Sequence, residues 1–233
     1  NIVVPIRSFI KSHNTFFIKD VVTGIDPVMN TISTLSCDFE FDYLVIATGS
    51  DSNTHDIEGV SKYCLFLKNI DDALSIKRKI ISNLEQYCIS KDTSLLSFTV
   101  IGGGPTGVEL AFEIDDYIST TLSKYFRDQS IKEHLRVNLV CSSERILSSM
   151  PASMQEEAEK LLKSSKINFI NKSHVTSISQ NTVMLSTGRE LKTSAVIWCA
   201  GVRPVLPKMI GDLNRTVVNA DFTVGPHKHI FAL

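Results

Sequence analysis

Short apolar runs separated by polar turns fill the first fifty positions: Phe16-Phe17-Ile18, Val21-Val22 leading into Gly24-Ile25-Asp26-Pro27, then Asp38 to Ala47. Gly, Pro, Asn and Asp between such runs predict a small β-meander leading into a buried strand, Tyr43-Leu44-Val45-Ile46-Ala47. After Thr48-Gly49 the chain turns polar, and Ser50 to Gly59 reads as a loop. From Asp71 the period changes. Ala73, Leu74, Ile76, Ile80, Ile81, Leu84 and Cys88 fall near helical spacing, which predicts a helix from Asp71 to Cys88 with Asp71 or Asp72 as its N-cap. The polar bridge Ser90 to Ser97 closes this segment and reads as a domain boundary.

Beyond the bridge, strand and helix patterns alternate: strand Phe98 to Ile101, helix Pro105 to Phe126, strand Arg136 to Cys141, helix Ala152 to Ser165, strand Ile167 to Asn171. Such alternation predicts an α/β fold, a Rossmann-like parallel sheet with right-handed crossovers and helices on both faces. A meander follows at Val175 to Ile178, Thr182 to Ser186 and Glu190 to Leu191, and strand Ala195 to Ala200 returns to the sheet. Ile114, Tyr117, Ile118, Leu122, Tyr125 and Phe126 share one helix face and read as core.

Composition narrows this picture. The 233 residues are 43% hydrophobic and 21% charged, enough for a sizeable core in one or two domains, and this excludes a disordered tail or a small disulfide scaffold. Lys+Arg of 24 against Asp+Glu of 25 gives a net charge of −1, so no positive field attracts phosphate backbones, and nucleic acid is not an expected partner. The five cysteines, Cys37, Cys64, Cys88, Cys141 and Cys199, include no C-x-x-C pair and read as reduced thiols of an intracellular protein. No run approaches the roughly 18 apolar residues that span a bilayer. The chain starts at Asn1 without a readable targeting peptide, which suggests a slice of something longer.

The sharpest chemical signal is Val100-Ile101-Gly102-Gly103-Gly104-Pro105-Thr106-Gly107-Val108-Glu109. It holds G-x-G-x-x-G directly after an apolar strand and before a helical pattern, the setting in which it binds a dinucleotide, the alternative being a glycine-rich turn with no ligand. Gly102 permits the tight turn, Gly104 admits a pyrophosphate to the backbone, and Gly107 lets helix and sheet pack closely. Pro105 suits the first helical turn. The confirming acid at the end of the second strand is absent: that position is Cys141, and the next acid is Glu144. A carboxylate there would favour NADH by binding the 2′-OH and repelling a 2′-phosphate, so its replacement leaves NADH and NADPH both admissible. Arg145 stands where it could approach such a phosphate or be an ordinary solvated charge. Two strand-end turns bracket the motif, Ala47-Thr48-Gly49 and Cys199-Ala200-Gly201.

Phe41 to Gly49, Ile101 to Ala111 and Trp198 to Pro204 together resemble the flavoproteins of the pyridine nucleotide-disulfide reductase superfamily, and more narrowly the type II NADH dehydrogenases, non-pumping NADH:quinone oxidoreductases. Ser52-Asn53-Thr54 with Ile57-Glu58-Gly59-Val60, and Phe66-Leu67-Lys68 with Asp72-Ala73 and Ile76 to Ile80, look like the same family. The resemblance implies a two-dinucleotide-binding-domain fold with the flavin domain incomplete: 1–97 part of an FAD domain, 98–201 the NAD(P)H domain, 202–233 a return into the FAD domain. It implies FAD and NADH as cofactors and quinone as acceptor. It also implies a mitochondrial inner-membrane setting with peripheral attachment through regions outside these residues, and it allows a homodimer. Gly102, Gly103, Gly104, Pro105, Thr106 and Gly107 would hold the pyrophosphate, Cys141 would face the adenosine ribose, Gly201 would border the nicotinamide, and Thr48 and Gly49 would touch the flavin side. Glu109 would lie near the nicotinamide, or serve only as a charge in the first helical turns. The 233 residues alone are expected to be inactive, and none need act as acid, base or nucleophile. The rival readings are another flavin reductase of the superfamily and a nucleotide-binding fragment without turnover.

Overall fold

The computed structural model describes residues 4–126, 128–205 and 218–233. Contacts divide the chain into two compact units, Asn1–Ser50 with Pro204–Leu233, and Asp51–Arg203.

In the first unit, Val22–Asp26, Thr31–Thr34 and Asp38–Glu40 form a three-stranded antiparallel sheet. This is the expected meander with two corrections. Phe16-Phe17-Ile18 is not a strand, while the polar Thr31–Thr34 is one. Leu44–Ile46 pairs in parallel with Ile230, Phe231 and Ala232 of the strand His227–Ala232, and Ile25, Ile46, Val224, Ile230 and Ala232 make a small core.

The second unit is built on a five-stranded parallel sheet in the order Cys64–Phe66, Ala195–Trp198, Ser97–Ile101, Arg136–Val140, Asn168–Ile170. Pleating sends alternate residues to opposite faces. Phe98, Val100, Val137, Leu139 and Ile197 meet Ile76, Ile80, Leu84, Val108, Ala111 and Ile114 of the helices Ile70–Ser90 and Pro105–Asp116, and Leu162 of the helix Ala152–Ser164. Ile101, Val140, Ile170, Val196 and Trp198 point the other way, onto Val175, Ile178, Val183, Leu185 and Leu191. Helices were expected on both faces. On this second face the antiparallel meander Val175–Ser179, Thr182–Leu185, Glu190–Lys192 takes most of that place, with Val60 of the one-turn helix Val60–Tyr63 beside it. A register shift between Val175 and Ser177 turns both Val175 and Ile178 inward, which strict alternation forbids.

The first long helix starts one residue earlier than its apolar pattern. Asn69, not Asp71 or Asp72, is the N-cap: its side chain accepts from Asp72 N at 2.9 Å while Asp72 Oδ2 accepts from Asn69 N at 3.2 Å, a reciprocal capping box. Asn69→Ala is expected to lower the unfolding free energy by about 1 kcal/mol, read as a lower urea midpoint at unchanged slope. The helix from Pro105 continues through a π-turn, Tyr117–Leu122, into Ser123–Phe126. The wider turn keeps Ile114, Ile118 and Leu122 on the core side, whereas Tyr125 is exposed.

The polar bridge Ser90 to Ser97 is no linker. Leu96 is fully buried, and Asn83 Nδ2 donates to Leu95 O at 3.1 Å, binding the bridge to the helix before it. The contacts divide the chain at Ser50/Asp51 and Arg203/Pro204, and Cys64–Phe66, before the bridge, is an edge strand of the parallel sheet.

Candidate functional site

Strand order reverses between Ser97–Ile101 and Ala195–Trp198: the chain steps outward in one direction to Arg136–Val140 and in the other to Ala195–Trp198. In open α/β sheets, ligands bind at such a switch point, outside the carboxyl ends of the strands. A cleft of about 710 Å³ lies there.

The glycine loop forms one wall of the cleft, and its four glycines differ in what surrounds them. Gly102 has φ +124°, and a Cβ on it would stand 2.5 Å from Cys199 O. A Cβ on Gly107 would stand 2.0 Å from Gly102 O, so this residue is required by the approach of helix to strand end. A Cβ on Gly103 would fall 2.2 Å from Cys141 Sγ, a contact between loop and second strand that the motif alone does not announce. Gly104 alone of the four faces open space, with nothing within 4 Å of its Cβ position. It is the N-cap of the helix Pro105–Asp116, and Val108 N donates back to its carbonyl at 3.0 Å. The free N–H groups of a first helical turn favour an anion at that open point.

Gly102, Gly103, Gly104, Cys141 and Gly201 all line the cleft. Gly107 is buried outside its lining, and Pro105, Thr106 and Glu109 are exposed and also outside it. Thr48 and Gly49 belong to the first unit, where Thr48 Oγ1 donates to Val205 O and Gly49 O accepts from Val205 N at 3.1 Å.

Several lining residues escaped the sequence reading. Trp198 closes the floor and donates from Nε1 to Asn53 O at 2.8 Å. His55 sits beside it with Nε2 3.0 Å from Ala200 O, in a turn where His55 and Asp56 have φ of +51° and +54°. Ser142, Ser143, Ser148, Ser173 and His174 supply the polar rim. Neither a repeated period nor a charge marks these positions; only the loop Ser50 to Gly59 and the family-like stretch Trp198 to Pro204 touch them.

The electrostatics are those of a neutral cleft. Among the described lining residues there is no Lys, Arg, Asp or Glu, so an anionic ligand meets backbone N–H groups and hydroxyls. Cys141 is buried with Sγ 3.0 Å from Ser143 Oγ. Arg145 is not a solvated charge: Nε and Nη2 reach Glu159 Oε1 and Oε2 at 2.7 and 3.1 Å. Hydrogen bonding to Glu159 raises the Arg145 pKa, and the same bond lowers that of Glu159. Burial pushes the Cys199 thiol in the cleft up to about 11, and that of Cys64 up to about 12. Both stay protonated near neutrality, and neither is a thiolate nucleophile. An unfolded thiol ionises near 8.5. The stability these two contribute is therefore complete below that pH and lost as pH rises toward 11–12. Urea midpoints are expected to fall above pH 9, and iodoacetamide at pH 8 to label exposed Cys37 before Cys64 or Cys199.

A cleft with an open point at Gly104 of its glycine loop finds its counterpart in known proteins. The family model for pyridine nucleotide-disulphide oxidoreductases matches residues 8–233. The chain belongs to this family. Among curated members, an external alternative NAD(P)H-ubiquinone oxidoreductase B1 of mitochondria from Solanum tuberosum is 32% identical over 249 aligned residues, covering 95% of this chain and 43% of that protein. An external alternative NADH-ubiquinone oxidoreductase from Yarrowia lipolytica is 32% identical, covering 83% of this chain and 36% of its own length. The chain thus spans less than half the length of these oxidoreductases. NDH2 of Plasmodium falciparum, solved in complex with NADH, superposes with a TM-score of 0.86 at 22% identity over 97% of this chain and 52% of that one, which places the fold.

Proposed function

We propose that this chain carries the nicotinamide-nucleotide-binding part of an FAD-dependent NAD(P)H:quinone oxidoreductase, with the unit Asp51–Arg203 as the NAD(P)H domain and the flanking segments as parts of the FAD domain. The observation that supports it best is the open face of Gly104 beside three glycines whose Cβ positions are closed by protein atoms. That pattern suits one ligand entering at one point of the loop. The pyrophosphate would lie over Gly104 and the first turn of the helix, with Gly102, Gly103 and Gly107 shaping the loop beneath it. Pro105 and Thr106 would border this end. The adenosine ribose would face Cys141 and the serine rim, and the nicotinamide would extend toward Gly201 and Trp198, with Glu109 kept as a helix charge.

Bound flavin supplies the hydride acceptor in such an enzyme. For its part, this chain binds and orients the dinucleotide in a cleft whose described lining holds no Asp, Glu, Lys or Arg. The first unit offers the strand-end turn at Thr48 and Gly49, where Gly49 has φ +69° and nothing within 4 Å of its Cβ position, a surface that would admit a flavin edge. Residues 1–50 hold glycine only at Gly24 and Gly49 and so supply no pyrophosphate cradle for it. The relatives, mitochondrial NAD(P)H-ubiquinone oxidoreductases, support ubiquinone as acceptor and the mitochondrion as location. We extend the reading to peripheral attachment at the inner membrane and to a homodimer.

The test is anaerobic addition of NADH to the longest protein that carries these residues, with FAD bound. Bleaching of the flavin absorbance, and its return on adding a short-chain ubiquinone, is expected. Flavin that is never reduced, or that is re-oxidised only by ferredoxin, would overturn the assignment. Because a thiol replaces the carboxylate at Cys141, NADH and NADPH affinities are expected to differ by less than about a hundredfold, equivalent to about 2.8 kcal/mol.

A further inference from the structure

Two cations stand next to lining residues of the cleft, Arg145 bonded through its carbonyl to Ser143 and Lys172 through its N–H to Ser143 O, and each is paired with a carboxylate. Lys172 Nζ lies 2.7 Å from Glu144 Oε1 in a single-contact pair with both side chains more than half exposed. The Arg145 pair is of a different kind. Its guanidinium meets both oxygens of Glu159 in a fork, and the two side chains are 39% and 27% exposed. Bidentate, half-buried pairs of this geometry hold an arginine in one place, whereas exposed single-contact pairs do not.

The backbone of Arg145 is hydrogen-bonded to the cleft wall. Its carbonyl accepts from Ser143 Oγ at 3.2 Å and from Cys141 Sγ at 3.8 Å, and both donors line the cleft. The side chain nevertheless leaves that wall for the helix Ala152–Ser164, on which Glu159 stands. An arginine near the end of the second strand, here Arg145 five residues past Val140, is the group that would grip a 2′-phosphate, because its planar fork matches phosphate oxygens. Here the same fork is already closed on a carboxylate.

We infer that Glu159 is a positioning residue for coenzyme selectivity: by holding Arg145 away from the cleft it denies NADPH its phosphate partner, and the neutral Cys141 denies NADH its carboxylate partner. This inference rests on the proposed nucleotide site. It adds a residue that touches no part of the nucleotide and yet limits how tightly NADPH is held. Removing Glu159 frees the guanidinium to turn toward a dianionic phosphate, and leaves the 2′-OH of NADH with the same neighbours as before.

The test titrates the chain with NADH and with NADPH, following the fluorescence of Trp198, the only tryptophan and itself part of the cleft floor. In Glu159→Ala the NADPH dissociation constant is expected to fall about tenfold while that for NADH stays within about twofold, the size of one added charge-assisted bond. In the double variant Glu159→Ala/Arg145→Ala the gain should vanish. Glu159→Gln, which keeps the side-chain shape, should give a smaller gain of the same sign, and serves if the alanine variant folds poorly by circular dichroism. An unchanged NADPH to NADH ratio in both single variants, or a gain that survives loss of Arg145, would overturn the inference while leaving the site in place. Failure of the unaltered chain to bind either nucleotide would instead overturn the site, and the inference with it.

Discussion

Gly104→Thr is expected to lower NADH affinity at least tenfold, and up to about a hundredfold, while the chain melts at the temperature of the parent. Two observations separate these effects. The Cβ position of Gly104 has nothing within 4 Å, and its φ of −79° with ψ 178° is extended backbone open to any residue. Threonine is about as good an N-cap as glycine, so the helix from Pro105 loses nothing. The new side chain instead fills the space that a pyrophosphate needs, and displaces it from the N–H groups of the first turn. Titration of the variant by Trp198 fluorescence, paired with a thermal melt, checks both halves. Lost affinity with a lowered melting temperature would mean that Gly104 is a folding residue.

Gly107→Ala should behave in the opposite sense. Its added methyl would stand 2.0 Å from Gly102 O and 3.4 Å from Cys199 Cβ, and the first of these is backbone that cannot swing aside. Relief requires the helix to lift from the strand end, through a core where Val108 and Ala111 are packed against the sheet. Overpacking of this kind costs about 3 kcal/mol, a large share of the roughly 5–15 kcal/mol that holds a domain together. The urea midpoint is expected to drop accordingly, whether or not nucleotide is present at the start of the titration. A midpoint equal to that of the parent would show that helix and strand are not in the register described. The two variants lie three residues apart in one motif, and they should separate binding from folding.

What the sequence made legible follows from which forces leave a periodic trace. The parallel strands and their crossover helices are written in apolar spacing, so Ser97–Ile101, Arg136–Val140, Ala195–Trp198 and the helix from Pro105 stand close to where the pattern puts them. Thr31–Thr34 left no such trace, because its side chains are only half-buried and mostly hydroxyls. The bridge at Ser90 to Ser97 misled for the same reason in reverse: its composition is polar, but Leu96 and the bond from Asn83 fix it to the core. The N-cap at Asn69 was displaced from Asp72 because both residues take part in one capping box, and composition does not say which is the cap and which the partner.

At the site, the glycine motif marks the loop, and Cys141, at the strand end, lines the cleft. The contact between Cys141 and Gly103, the fork between Arg145 and Glu159, and the placement of His55 under Gly201 were not legible, since each joins residues that meet only after the sheet has formed. Arg145 and Glu159 are fourteen positions apart with a turn and a helix start between them. No local pattern couples them.

The central claim is that the cleft at the switch point binds a dinucleotide through its glycine loop. It is tested most directly by amide hydrogen exchange with and without saturating NADH. Slowed exchange is predicted in the segments 102–108 and 141–148, with the meander strands at 182–192 unchanged. Binding of NADH without protection at 102–108, or with protection confined to another face of the unit, would contradict it.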